Sequence, residues 1–139
     1  MASVKRIAIV GGPRTGKTTL AAKLARDTGL PLIASDDFKD LGWSEASQHV
    51  ADLLAKNEPA IVEGVAVSRA LRKAIAARPD EKPIDKLIVL EAPKAARSAG
   101  QKAMGKGVHT VLDEVLPDLR RLGVEIEWRT DTATFGGDA

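Results

Sequence analysis

Apolar residues in this chain gather in five short runs, Arg6–Val10, Pro31–Ala34, Ala60–Val62, Lys86–Leu90 and Val124–Trp128. Runs this short, rich in isoleucine, valine and leucine, predict strands buried on both faces. Between them the apolar positions recur with a helical period. Thr18–Thr28 carries Leu20, Ala21, Leu24 and Ala25, and Ser44–Lys56 carries Ala46, Val50, Leu53 and Leu54 with Ser44 as the expected N-cap. Ser68–Ala77 carries Leu71, Ala74 and Ile75 and stops before Pro79. A fourth pattern, Pro93–Met104, opens on proline and is predicted to end at Gly105 and Gly107. A fifth, His109–Leu122, closes on Gly123, and Pro117 inside it is predicted to kink or divide it. Strands alternating with helices predict an α/β domain with a parallel sheet covered on both faces. Residues Thr130–Ala139 are small and polar and read as a tail.

The junction of the first strand and first helix reads Gly11-Gly12-Pro13-Arg14-Thr15-Gly16-Lys17-Thr18-Thr19. A glycine, four residues and then Gly-Lys-Thr is the spacing of a phosphate-binding P-loop, here in its required setting of strand, loop and helix. The chemistry follows from the helix start. Its first amides lack intrahelical partners and the helix dipole places partial positive charge there. Gly11, Gly12 and Gly16 let the backbone curl round a phosphate. Pro13 stiffens the loop at the expense of one donor. Lys17 is placed to reach the β- and γ-phosphates, and the Thr18 hydroxyl to ligate Mg²⁺. The pattern predicts a nucleoside triphosphate, ATP, bound with Mg²⁺.

Composition narrows the setting. At 139 residues the chain suits one domain, and the net charge of +2 does not by itself argue for nucleic acid. No apolar run reaches the roughly 18–20 residues of a membrane span, and no signal-peptide core precedes Gly11. Without cysteine there is no disulfide or thiolate metal site, which fits a cytoplasmic protein. Tyrosine is absent and only Phe38, Trp43, Trp128 and Phe135 are aromatic, which disfavours a base-stacking platform. His49 and His109 read as helix or surface residues rather than ligands.

The other strand ends supply candidate acids and cations. Ser35-Asp36-Asp37-Phe38-Lys39 follows the second strand, and a carboxylate there suits removal of a proton from an acceptor hydroxyl. Asp36 is the first candidate for that base and Asp37 the second. The third strand closes in Ile61-Val62-Glu63-Gly64, a placement like the Walker B acid that supports Mg²⁺, with Glu91 after the fourth strand as the alternative. Two stretches lack acids: 64–79, with Arg69, Arg72, Lys73 and Arg78, and 92–112, with Lys94, Arg97, Lys102 and Lys106. Each begins where a strand ends, on the edge at which open parallel sheets bind ligands. The Asn-Lys-x-Asp pattern of guanine-reading GTPases is absent.

Taken together, GGPRTGKTT, SDDFK, IVEG and LIVLEAP with its basic sequel resemble the P-loop kinase superfamily, which includes nucleoside monophosphate, shikimate, gluconate and polynucleotide 5′-kinases. The resemblance runs to the fifth strand. It implies a single three-layer domain over residues 1–139, with a five-stranded parallel sheet of order 2-3-1-4-5 and helices on both faces. It also implies an ATP-dependent kinase. The SDDFK segment is similar to that of phage polynucleotide 5′-kinases and zeta-toxin-like kinases, which assigns Asp36 as base and Lys39 as a contact to the acceptor, with Arg69 nearby. Residues 94–108 fall where the family carries a lid, making Arg97, Lys102 and Lys106 the candidates to offset charge on the transferred group. Family lids carry two or more arginines; this one has a single Arg97, and lysine lacks the bidentate fork, so Arg14 is a further candidate. The implied acceptor is a hydroxyl of a nucleotide or of DNA, including a modified base. The alternatives are a small metabolite, a nucleoside monophosphate, or a non-catalytic ATP-binding module.

Overall fold

A computed structural model of the chain describes residues 6–11, 17–35, 40, 42–56, 58–90 and 99–129, with side chains throughout except at 43 and 99–105. Five strands, β1 (Arg6–Gly11), β2 (Leu32–Ala34), β3 (Ala60–Glu63), β4 (Lys86–Leu90) and β5 (Glu125–Arg129), form one sheet. They alternate with α1 (Lys17–Thr28), α2 (Trp43–Ala55), α3 (Val67–Ala77) and α4 (Ala99–Arg121). The order is β2-β3-β1-β4-β5 and each neighbouring pair is parallel, as the sequence resemblance implies.

Period-two alternation sends successive side chains of each strand to opposite faces. Ile7 and Ile9 of β1 and Ile88 and Leu90 of β4 pack with Leu20 and Ala21 of α1. Ala8, Val10, Leu87 and Val89 face the other way and join a larger core. That core is completed by Val50 and Leu54 of α2, Val67 and Leu71 of α3, and Leu112, Val115 and Leu119 of α4. Central β1 is therefore buried on both faces, which is what its unbroken apolar run requires. The edge strand β5 is tied to β4 by charge as well, since Lys86 Nζ lies 3.3 Å from Glu125 and 3.0 Å from Glu127. The hydrogen bond to Glu127 holds the Lys86 pKa above its ordinary value despite partial burial. Burial pushes Glu127 up, but hydrogen bonds from Lys86 and Arg129 outweigh it and keep that carboxyl below the usual range.

Glycine ends α1 and α4 and begins α2. Gly29 (φ 73°) caps α1 by donating its N–H to the Ala25 carbonyl. Gly123 (φ 87°) ends α4 with paired bonds from Gly123 to Arg120 and from Val124 to Leu119, a Schellman arrangement. At α2 the expected cap is corrected. Gly42, at φ 91°, occupies the N-cap and its carbonyl accepts from Ala46, so Ser44 lies within the first turn.

The larger correction concerns α4. The expected break at Gly105 and Gly107 does not occur, and Pro117 does not divide the helix; one helix runs from Ala99 to Arg121. The start expected at Pro93 lies outside the described residues. Magnitudes explain the continuity. An interior glycine costs about 1 kcal/mol relative to alanine and an interior proline about 3 kcal/mol. Against this, Val108, Val111, Leu112, Val115, Leu116 and Leu119 are all buried along one face. Each such side chain contributes roughly 1.5–3 kcal/mol. Tertiary burial wins. Pro117 is itself exposed, so its ring adds no core packing while denying the Asp113 carbonyl a donor. Pro117→Ala is therefore expected to raise the urea midpoint, by about 1–3 kcal/mol of stability. An unchanged or lower midpoint would show that the helix is already accommodated to proline there.

Candidate active site at the carboxyl edge of the sheet

The carboxyl ends of β1, β2 and β3 converge, because register aligns Glu63 of β3 with Ile9 of β1 on one side and Ala34 of β2 on the other. Gly11, the last residue of β1, is buried, and α1 starts at Lys17. Lys17 retains only 9% of its exposure and Glu63 only 5%. Among the described residues these are the two buried charged side chains. Both engage in polar interactions, as buried charges must, since an unpaired one costs several kcal/mol or more. Thr18 and Thr19 lie exposed in the first turn of α1.

The turn after β3 is built by close approach. Gly64 has φ 130°, and a Cβ there would fall inside the envelope of the Ser35 hydroxyl. Ser35 is fully buried and its Oγ accepts from the Ala66 N–H at 3.4 Å. Two residues further on, Ser68 is 1% exposed, and among the described residues its Oγ has no hydrogen-bond partner. Sequence reasoning did not single out Ser35, Gly64 or Ser68 as a group. The available signal was a glycine directly after the strand-closing Glu63, opposite a small residue at the end of the neighbouring strand.

No protein-family model matches the chain, and no curated protein matches it in sequence. Solved structures do match in shape. The shikimate kinase from Acinetobacter baumannii in complex with shikimate aligns over 98% of this chain and 90% of its own, with TM-score 0.57 and 14% identity. A gluconokinase from Sinorhizobium meliloti aligns over 94% and 86%, with TM-score 0.51 and 17% identity. The YorR protein from Bacillus subtilis in complex with phosphorylated GDP aligns over 95% and 89%, with TM-score 0.50 and 22% identity. The fold is that of the small P-loop kinases.

Within this small-kinase fold the positions named from sequence divide into four groups. Gly11, Lys17, Thr18 and Glu63 stand together at the carboxyl edge around β1. Arg69, on the first turn of α3, and Lys106, on α4, are exposed. Lys102 falls in α4, and its side chain is outside the description. Gly12, Pro13, Arg14, Thr15, Gly16, Asp36, Asp37, Lys39, Glu91 and Arg97 lie outside the described residues, as does the tail 130–139. His49 and His109 occur in α2 and α4, and the described residues contain no cluster of three or more histidines and acids. No helix among them is long and apolar enough to cross a membrane.

Gly64→Ala tests the turn. The substitution forces a positive φ on alanine and a clash with Ser35, and should cost roughly 1–3 kcal/mol in urea unfolding. Adding Ser35→Ala should recover part of the loss by removing the hydroxyl. Wild-type stability in Gly64→Ala would contradict the close approach of the two strand ends.

Proposed function

We propose that this chain is an ATP- and Mg²⁺-dependent phosphotransferase that moves the γ-phosphoryl group of ATP to a hydroxyl of a compact acceptor, a nucleotide or small metabolite. The observation that carries the reading is the buried pair Lys17 and Glu63 at the carboxyl edge of a sheet whose central strand feeds the glycine loop. A cation at the start of α1 and an acid at the end of β3 are the two fixed charges that phosphoryl transfer needs around a triphosphate. The donor set fits the metal, since Thr18 and Glu63 offer the hard oxygen ligands Mg²⁺ prefers. When bound, Mg²⁺ would neutralise charge on the phosphates.

The chain's own residues then have separate tasks. Lys17 and the loop amides of 11–19 hold the β- and γ-phosphates. Asp36, with Asp37 as reserve, accepts the acceptor proton as its oxygen bonds to the γ-phosphorus. The bond from that phosphorus to the β-bridging oxygen breaks, and ADP leaves. Arg97, Lys102 and Lys106 offset charge on the group in transit, while Lys39 and Arg69 orient the acceptor. Likeness to a shikimate kinase, a gluconokinase and the YorR protein over most of their lengths supports this class of reaction.

Charge placement favours a compact acceptor over a polynucleotide. A polymeric track would continue from Arg69 to Arg72, but the Arg72 guanidinium is paired with Glu114 at 3.3 Å. The exposed residues of α2 include Glu45 and Asp52, which would repel a phosphate backbone.

The test is ADP release with a panel of sugar acids, nucleosides, nucleotides and 5′-hydroxyl oligonucleotides. Lys17→Ala should lower acceptor-dependent release roughly 100-fold or more and weaken ATP binding. Asp36→Ala should lower release roughly 10²–10⁴-fold while ATP affinity stays within a few-fold of wild type. Tight ATP binding with no acceptor stimulating release would make the protein a nucleotide-binding module instead. Equal release with and without acceptor would make it a hydrolase.

A further inference from the structure

A cleft of about 560 Å³ opens at the opposite, amino-terminal edge of the sheet, away from Gly11, Lys17, Thr18 and Glu63. It lies where the last turns of α2 and α3 approach the segment leading into β4 and the first residue of β1. Its cause is legible in the sequence. Ala51 and Ala55 of α2 line it from one side and Ala74 and Ala77 of α3 from the other, and side chains this short leave space between the two helices. Leu54 and Pro83 complete an apolar lining. Protein interiors normally close such gaps, and this volume lies within the roughly 300–1,000 Å³ of small-molecule sites.

The charged rim decides what would enter. Arg6 is committed: its backbone N–H donates to Asp85 at 2.9 Å and its guanidinium donates to the Lys82 carbonyl at 3.1 Å. Lys82 is ion-paired with Asp85 at 3.5 Å and Arg78 with Glu81 at 3.3 Å. The Asp52 carboxylate accepts from the Gln48 amide at 2.9 Å. Lys73, half-buried on α3, is the lining cation that makes no ion pair among the described residues. An apolar floor beside one uncommitted ammonium is complementary to an amphipathic anion.

We propose that this cleft is a second ligand site, distinct from the phosphoryl-transfer centre, that takes a small anion with an apolar body, its carboxylate, sulfonate or phosphate on Lys73 and its ring over the four alanines. The inference does not depend on the chain being a kinase, because no residue of the cleft belongs to the donor or acceptor machinery.

The probe is 8-anilinonaphthalene-1-sulfonate, an aromatic monoanion whose fluorescence rises in apolar surroundings, titrated into the full chain with folding checked by circular dichroism. Saturable binding is expected, displaced by phenyl phosphate but not by neutral benzyl alcohol, and unaffected by saturating ATP with Mg²⁺. Lys73→Glu should weaken the probe about tenfold or more, the scale of one lost charge-assisted hydrogen bond. Ala74→Leu, which fills the floor, should abolish binding. Should Ala74→Leu fail to fold, amide shifts in the wild-type spectrum decide, and the probe should move Ala51, Ala55, Ala74 and Ala77 while leaving Gly11 and Lys17–Leu20 in place. Wild-type affinity in Lys73→Glu, displacement by ATP, shifts confined to the glycine loop, or no binding up to millimolar probe would each overturn the proposal.

Discussion

Burying charge at the rim of an apolar sheet costs several kcal/mol per ion unless partners surround it, and Lys17 and Glu63 both sit there. The parallel register of β1 and β3 sets Glu63 beside Ile9, and α1 starts at Lys17, so both charges come to the same edge of the sheet. Much else serves this arrangement. β1 is central, walled by Ile7 and Ile9 against α1 and by Ala8 and Val10 against the three-helix face. Gly64 turns the chain directly after Glu63, and the small Ser35 makes room for it. The geometry of this edge is thus set by where the strands end, and the helices hold those ends in place.

The parts legible in the sequence were those in which local pattern and tertiary outcome agree. Five apolar runs became five strands within a residue or two of their expected limits. The expected burial on both faces holds for the inner strands β1, β3 and β4, whereas the edge strands β2 and β5 leave Leu32 and Trp128 exposed. The glycine loop identified its own neighbours, because only a strand before it and a helix after it give the motif meaning. Glu63 was readable as a carboxylate closing an apolar strand. Local signals failed where long-range packing overruled them. Gly105, Gly107 and Pro117 each disfavour helix, yet α4 is continuous because its buried face outweighs them. Ser44 has good capping chemistry, yet Gly42 takes the cap because the chain enters α2 at positive φ. Ser35, Ser68 and the alanine-lined cleft were not readable as sites, since each depends on which residues meet across separate elements.

The two edges of the sheet have different character. At the carboxyl edge charge is buried, and Gly64 turns the chain at positive φ directly after β3. At the amino edge, partly exposed ion pairs join Arg6 and Lys82 to Asp85 beside a cleft floored by alanine. Surface pairs of that kind contribute little stability, typically under about 1 kcal/mol each, so they shape the cleft more than they hold the fold. α3 spans the distance between the edges, beginning beside Gly64 and ending at Ala77 on the cleft wall.

The central claim is that a triphosphate is held at the carboxyl edge around β1. Amide hydrogen exchange with and without a non-hydrolysable ATP analogue and Mg²⁺ tests it most directly. Slower exchange is predicted in peptides covering Gly11–Leu20 and in the peptide ending at Gly64, with the segment 78–85 at the amino edge unchanged. Saturating analogue that leaves Gly11–Leu20 unprotected, or protects only the amino edge, would contradict the account.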